Sequence, residues 1–474
     1  MFTVCKPGLC DIYVTMHQFD RCLIHAGMPK TGSTSLQTFL AVNRRALLAR
    51  GALYPASLGW RNHVRLAAAL HPAPSPQLDL ALAETGARDA DDLLDRLAAG
   101  LEEETRAACA AATAEGRPPP STLVLSSEFF WSLPEGEALL TALRAFVDMR
   151  AARAEVLIYL RRQDLFAVSM ASTRARDGEP GEGVGAPIFP ETPRRAYRYA
   201  KCLDGFAAAF GKNAVAARVF ARKELSGGDV IADAMAVWGL GASGGLTRPP
   251  PRNPSLRPAM QAWLGHLGAL DPARHGRGAG LDRIDLSAVM ERQGGPGRRP
   301  SRAQGQAFLA RFEAGNERVR AEWFPERARL FDLDMPWPED ADPPPSAADL
   351  MAVTLDALTV KEAEIACLSA RLGVAEGRTD EASAHFARSA RLHPGVAATA
   401  LAWGEAALAA DAGPEALRLV AADVALALAG CGGGEHPRIA LRLLLGRLHL
   451  RAGDVASAVT AAESLASDRP RFGP

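Results

Sequence analysis

Cys22-Leu-Ile-His-Ala-Gly-Met28, running straight into Pro29-Lys-Thr-Gly-Ser-Thr-Ser35 and then Leu36-Gln-Thr-Phe-Leu40, is the first strongly patterned stretch of the chain. The apolar run stops at Pro29. Beyond Gly32 the apolar positions change to helical spacing, with Leu36, Phe39, Leu40 and Leu47 along one face of a helix that continues towards Arg50. The stretch therefore predicts a strand, a glycine turn and a helix. A turn of this kind suits an anion: glycine lets the backbone approach closely, the helix start supplies free N–H donors, and the hydroxyls of Thr31, Ser33, Thr34 and Ser35 add more. A Walker loop would carry its lysine directly after Gly32, whereas here Ser33 follows and the lysine lies earlier, at Lys30.

Further along, Leu123-Val-Leu125 and Val156-Leu-Ile-Tyr-Leu160 repeat the buried-strand pattern. Helical stretches follow them, from Glu135 to Met149 and from Asp164 to Arg176. Val215 to Phe220, with a helix after Asp229, makes another such unit. Strands alternating with helices predict an α/β fold, a parallel sheet flanked by helices. The Gly-, Pro- and Arg-rich segments 178–193, 244–254 and 274–300 read as loops or mobile insertions, and two of them could flank a site.

Near Pro336-Trp-Pro338 the composition turns proline-rich and acidic, and past Pro343-Pro-Pro345 the chain is mostly Ala, Leu, Arg and Glu. The expected organisation is an N-terminal extension over 1–20, an α/β domain over 21–337, a linker over 338–346 and an all-α domain over 347–474. Within the last, Gly377, Ala382, Phe386 and Pro394 share their spacing with Gly453, Ala458, Ala462 and Pro470. That offset favours helix-turn-helix repeats of the tetratricopeptide type, with a degenerate unit around Trp403-Gly404 to Ala416, over an ordinary Ala-rich helical bundle.

Lys and Arg number 54 against 54 Asp and Glu, so no overall positive field draws the chain to nucleic acid or anionic membranes. Seven scattered cysteines without a C-x-x-C pair suit neither a zinc site nor a disulfide framework. Nothing in the first residues resembles a signal peptide, and no run is apolar enough for a transmembrane segment. A cytoplasmic location is expected.

The loop His25-Ala-Gly-Met-Pro-Lys-Thr-Gly-Ser-Thr-Ser-Leu-Gln37 resembles the 5'-phosphosulfate-binding loop of the sulfotransferase family. A second segment, Tyr159-Leu-Arg161-Arg-Gln-Asp-Leu-Phe-Ala-Val-Ser169, resembles that family's 3'-phosphate-binding segment, an Arg at a strand end with a Ser eight residues later. Weaker echoes lie at Arg218-Val-Phe-Ala-Arg222, at Glu224 to Asp229 and at Asn253-Pro-Ser-Leu256. The resemblance implies a P-loop-like fold and transfer of a sulfuryl group from 3'-phosphoadenosine 5'-phosphosulfate to an acceptor hydroxyl or amine, on a carbohydrate or a small molecule. It implies donor contacts from Pro29, Lys30, Thr31, Gly32, Ser33, Thr34, Ser35, Arg161 and Ser169, with Lys30 neutralising charge on the leaving oxygen and no metal demanded. Arg162, one residue on, is the alternative partner of the 3'-phosphate. For the base that takes the acceptor's proton, His63 and Glu128 are the two candidates, imidazole being suited to proton abstraction near pH 7 and Glu128 standing at a strand's carboxyl end. His25 is expected to be a strand residue within the sheet. A small-molecule kinase would share the strand-loop-helix opening, and a non-catalytic scaffold would use only the C-terminal helices, whose surface suits a protein partner.

Overall fold

The computed structural model describes residues 19–71, 75–131, 137–176, 187–192, 195–249, 255–270, 286–332, 334, 336–376, 378–392, 397–409, 412–430 and 435–468. The chain divides into two compact units, one formed by the described residues within 1–255, 264–283 and 296–344, the other by those within 256–263, 284–295 and 345–474. Two short segments upstream of the proline-rich stretch thus belong to the second unit, which the composition around 338–346 does not announce.

The first unit is α/β. β1 (Arg21–Ala26) leads through the glycine turn into α1 (Ser33–Val42) and α2 (Arg44–Ala49), then β2 (Ala52–Leu53). α3 (Val64–Ala69), α4 (Pro76–Thr85) and α5 (Ala90–Ala114) precede β3 (Thr122–Ser127). α6 (Glu137–Asp148), β4 (Ala154–Leu160), α7 (Gln163–Arg176), α8 (Tyr199–Phe210), β5 (Val215–Val219) and α9 (Val230–Val237) complete the alternation. All pairings are parallel and the strand order is β2-β3-β1-β4-β5.

The expected single helix from Ser35 towards Arg50 is two helices. Asn43 breaks it, because its side-chain amide donates to Phe39 O at 2.8 Å and to Thr247 O at 2.9 Å, and its Oδ1 accepts from Thr247 N–H at 2.9 Å. An Asn side chain that offers the backbone such alternatives competes with the helix ladder. Phe19 is buried and bridges Ala151, its N–H bonded to Arg150 O at 2.8 Å, so the end of the expected N-terminal extension prolongs the pairing of β1 with β4 at the amino end of the central strand.

Side chains alternate across the sheet. Leu23, Val124, Leu157 and Tyr159 pack with Leu36, Phe39, Leu40 and Leu47 and with Ile231, Ala234 and Met235 of α9. Cys22, Ile24, Leu123, Leu125, Val156 and Ile158 meet the helices of the other face, α5 through α8. α5 escaped the sequence reading, yet it is capped by Asp89, whose side chain accepts from Asp92 N–H, and it buries Leu93, Leu97, Leu101, Thr105, Ala108 and Ala112 along one stripe. The helix after β1 lies on one face, and the helices after β3 and β4 lie on the other. Chain directions therefore diverge on both sides of β1 at its carboxyl end, the place where open α/β sheets bind ligands.

α10 (Pro258–Leu270), α11 (Ser287–Arg292), α12 (Arg302–Ala310) and α13 (Glu313–Trp323) follow. α12 starts on a capping box, Ser301 with Gln304, and Phe308, Phe312 and Val319 join the core under α7 and α8. α11 lies inside 274–300, the segment expected to be an insertion, and Arg292 and Gln293 both reach Asp356, at 2.6 Å and 2.9 Å. Residues 178–186, 193, 250–254 and 274–285 of the three expected loops lie outside the described residues.

The second unit is helical. α14 (Ala347–Ala375), α15 (Thr379–Leu392), α16 (Ala397–Ala409), α17 (Pro414–Gly430), α18 (Glu435–Arg451) and α19 (Val455–Asp468) pack in succession, α14 also against α16 and α16 also against α18. Phe386 and Trp403 stack within its core, centroids 6.2 Å apart. Of the spacing that suggested repeats, Gly377, Pro394 and Pro470 lie outside the described residues, and Phe386 is buried whereas its counterpart Ala462 is exposed. Among the described residues no helix is long and apolar enough to cross a membrane.

Candidate functional site

The turn after β1 is built from left-handed backbone. Gly32 has φ 79° and Lys30 has φ 66°, the one non-glycine residue in that region among the described residues. For an L-residue this costs roughly 1–2 kcal/mol, a strain that persists only where neighbouring contacts hold it. Three such contacts are visible. Thr31 Oγ1 and Ser33 Oγ both donate to Met28 O, at 2.6 Å and 3.0 Å, and Arg161 Nη1 donates to Lys30 O at 2.6 Å. Thr31 and Ser33 are buried, while Pro29, Lys30, Gly32, Thr34 and Ser35 keep partial exposure.

α1 begins here without a side-chain cap and without an acidic residue in its first turn. Its first intrahelical bond runs from Leu36 N–H to Gly32 O, so the N–H groups of Ser33, Thr34 and Ser35 precede the ladder. α4, α5, α9 and α12 are capped by Ser75, Asp89, Asp229 and Ser301, while α2, α3, α8 and α13 share with α1 the lack of a side-chain cap. The loop is also tight. A Cβ on Gly27 would stand 2.8 Å from Ser33 Oγ and 3.0 Å from His25 Cε1, and one on Gly32 would stand 2.8 Å from Val230 Cγ1. An uncapped helix start with close-set glycines, a lysine and an arginine fits an anionic phosphate or sulfate group.

Arg161 and Arg162, adjacent at the end of β4, have different employment. Arg162 is buried: its Nε and Nη2 make a bidentate pair with Asp164 at 2.7 Å and 2.9 Å, and Nη1 donates to Asp332 O and Asp334 O at 2.7 Å and 2.8 Å. Arg162 is thereby committed to the fold, and the alternative that made it the phosphate partner is set aside. Arg161 is half-buried beside the loop, its guanidinium 5.9 Å from the Phe220 ring centroid, and Tyr199 OH donates to its carbonyl. Burial lowers its pKa below the ordinary arginine value. Ser169 lies half-buried in the second turn of α7, and among the described residues no hydrogen bond joins it to Arg161 or to the loop.

His63 does not stand where a base would. It is fully buried, its Nδ1 accepts from Ser126 N–H at 3.1 Å, and its Nε2 donates to Pro55 O at 3.0 Å. Both ring nitrogens are spent on backbone, and the ring packs on Tyr54 with centroids 4.6 Å apart. The residue pins the start of α3 to β3; nothing in its surroundings leaves a lone pair for an acceptor's proton. His25, in β1 as expected, bonds Ser126 Oγ through Nδ1 at 2.8 Å, and its buried Nε2 has no hydrogen-bond partner among the described residues. Ser126 thus joins two buried histidines beneath the loop.

Burial pushes both histidines from 6.5 down to about 3. In the unfolded chain they take up protons near pH 6.5, and in the fold only near pH 3. Their contribution is therefore fully present above about pH 6.5 and is lost as pH falls towards 3. Urea unfolding is expected to weaken by about 1.4 kcal/mol per pH unit for each histidine between roughly pH 6 and 4. His63→Gln should lessen that slope by one histidine's share, and a wild-type stability independent of pH between 6 and 5 would contradict the burial of both.

Glu128 follows the last residue of β3 and is half-buried at the carboxyl end of the sheet, the same end as the loop. The structure also brings to this end residues the sequence did not single out: Phe220 and Val230 against Gly32, and Tyr199 beneath Arg161. Phe220 had a sequence signal, as the end of the expected strand and within the weak echo around 218–222, whereas Val230 and Tyr199 lie outside those segments. Among the described residues no group of three His, Cys, Asp or Glu side chains is placed to hold a metal ion. Compared with known proteins, the chain matches no family model, no curated protein and no solved structure.

Proposed function

We propose that the first unit is a sulfotransferase of P-loop-like fold that binds 3'-phosphoadenosine 5'-phosphosulfate and passes its sulfuryl group to a hydroxyl or amine, with a carbohydrate as the favoured acceptor. One observation carries the reading. Arg161 Nη1 donates to the carbonyl of the left-handed Lys30, so two segments 131 residues apart in sequence, each resembling one half of a donor site, meet beside β1.

The 5'-phosphosulfate is placed at the N–H groups opening α1, with the hydroxyls of Thr34 and Ser35 in the same turn. The remaining donors of the Arg161 fork are assigned to the 3'-phosphate. In the transfer, the bond between sulfur and the donor's bridging oxygen breaks as sulfur bonds the acceptor oxygen or nitrogen. Lys30 neutralises the charge growing on the departing phosphate, and the acceptor's proton passes to the Glu128 carboxylate. As in phosphoryl transfer, the protein's contribution is in-line placement and charge stabilisation.

Calorimetry tests the donor site. Adenosine 3',5'-bisphosphate is expected to bind at least tenfold more tightly than adenosine 5'-phosphate or ATP with magnesium, and Arg161→Ala is expected to abolish that preference. A folded protein that prefers ATP, or that binds none of the three, would refute the reading.

A further inference from the structure

α14 is apolar on two sides. Val353, Ala357, Val360, Ala363, Ala366 and Ala370 are buried. Another stripe of large aliphatic side chains, Met351, Leu355, Leu358, Ile365, Leu368 and Leu372, stands 56–63% exposed. A helix that is apolar around most of its circumference is ordinarily covered on both sides, and six such residues in one row go beyond the scattered apolar residues of a monomer surface.

The order of the stripe says what covers it. Its successive spacings are 4, 3, 7, 3 and 4, the same read from either end. The centre of this palindrome falls between Lys361 and Glu362. We propose that α14 pairs with α14 of a second copy of this chain, antiparallel about a two-fold axis at that point. Met351 then faces Leu372 of the second copy, Leu355 faces Leu368, and Leu358 faces Ile365, with every contact made twice, as a self-complementary interface requires.

The central gap in the stripe is filled by charge. Lys361 of each copy meets Glu362 of the other, whereas a parallel pairing would set lysine on lysine and glutamate on glutamate. Spacings of three and four are those of knobs-into-holes packing, and the stripe extends over roughly 32 Å of helix. Within one chain Lys361 pairs with Glu364 at 2.7 Å and Glu362 pairs with Arg388, contacts at the surface that can be exchanged for those across the axis at little cost.

Sedimentation of the full chain over a range of concentrations tests this. A monomer–dimer equilibrium is expected, and Leu358→Glu with Ile365→Glu should weaken it at least 100-fold while the far-ultraviolet circular dichroism of the chain is unchanged. Lys361→Glu alone should weaken dimerisation about tenfold, and Lys361→Glu combined with Glu362→Lys should restore it, since the exchanged charges again face each other. This exchange leaves the apolar stripe intact, so it tests the pairing even if the double glutamate variant fails to fold. A chain that is monomeric at every concentration, or a dimer indifferent to the glutamates, overturns the proposal. So does a charge reversal that the second exchange does not rescue.

Discussion

Asp164→Ala should lower the unfolding free energy of the first unit by about 3–5 kcal/mol, read as a shift in the denaturant midpoint. Asp164 is fully buried, and both its oxygens are in use: Oδ1 accepts from Arg162 Nε, while Oδ2 accepts from Arg162 Nη2 and from Trp337 Nε1 at 2.7 Å. Removing it strips a buried guanidinium of its carboxylate counter-charge and an indole N–H of its acceptor. The cost comes from that uncompensated charge, since the net value of the intact pair is modest once desolvation is counted. Replacing both partners, Arg162→Met with Asp164→Leu, should therefore cost less than Asp164→Ala alone. If the single and double replacements are equally mild, the network is not buried as described.

This network also shows where the sequence could be read and where it could not. Continuous apolar runs at 22–26, 123–125 and 156–160 reported their own burial, because a strand covered on both faces has no polar alternation to hide it. Leu36, Phe39, Leu40 and Leu47 fell into one core for the same reason: periodicity alone determines which face they share. Periodicity says nothing of long-range partners. That Arg162 would be consumed by Asp164, and Arg161 left beside Lys30, depends on where 330–337 folds back, more than 160 residues away. His63 misled because a loop histidine near a suspected site resembles a base until Ser126 and Pro55 are seen on its two nitrogens. Asn43 was hidden within a helical pattern because its break requires Thr247. α5 was obscured by its alanines, which mark neither face strongly.

Lys30→Ala is expected to lower sulfuryl transfer by a factor of about 100–1,000 while leaving the affinity for adenosine 3',5'-bisphosphate within a few fold. The loss should fall on kcat, because on the proposed mechanism the ammonium acts on charge that grows only as the sulfur–oxygen bond breaks. The backbone at Lys30 complicates a single substitution: with φ 66°, alanine keeps the strain and removes the charge. Lys30→Gly separates the two. Glycine accepts the left-handed conformation, so this variant should be as stable as wild type or more so, yet as inactive as Lys30→Ala. Lys30→Arg keeps a positive charge and should recover part of the rate. Full activity in the glycine variant would remove the ammonium from the reaction and leave Lys30 as a turn residue, held by Arg161 for the sake of the loop alone.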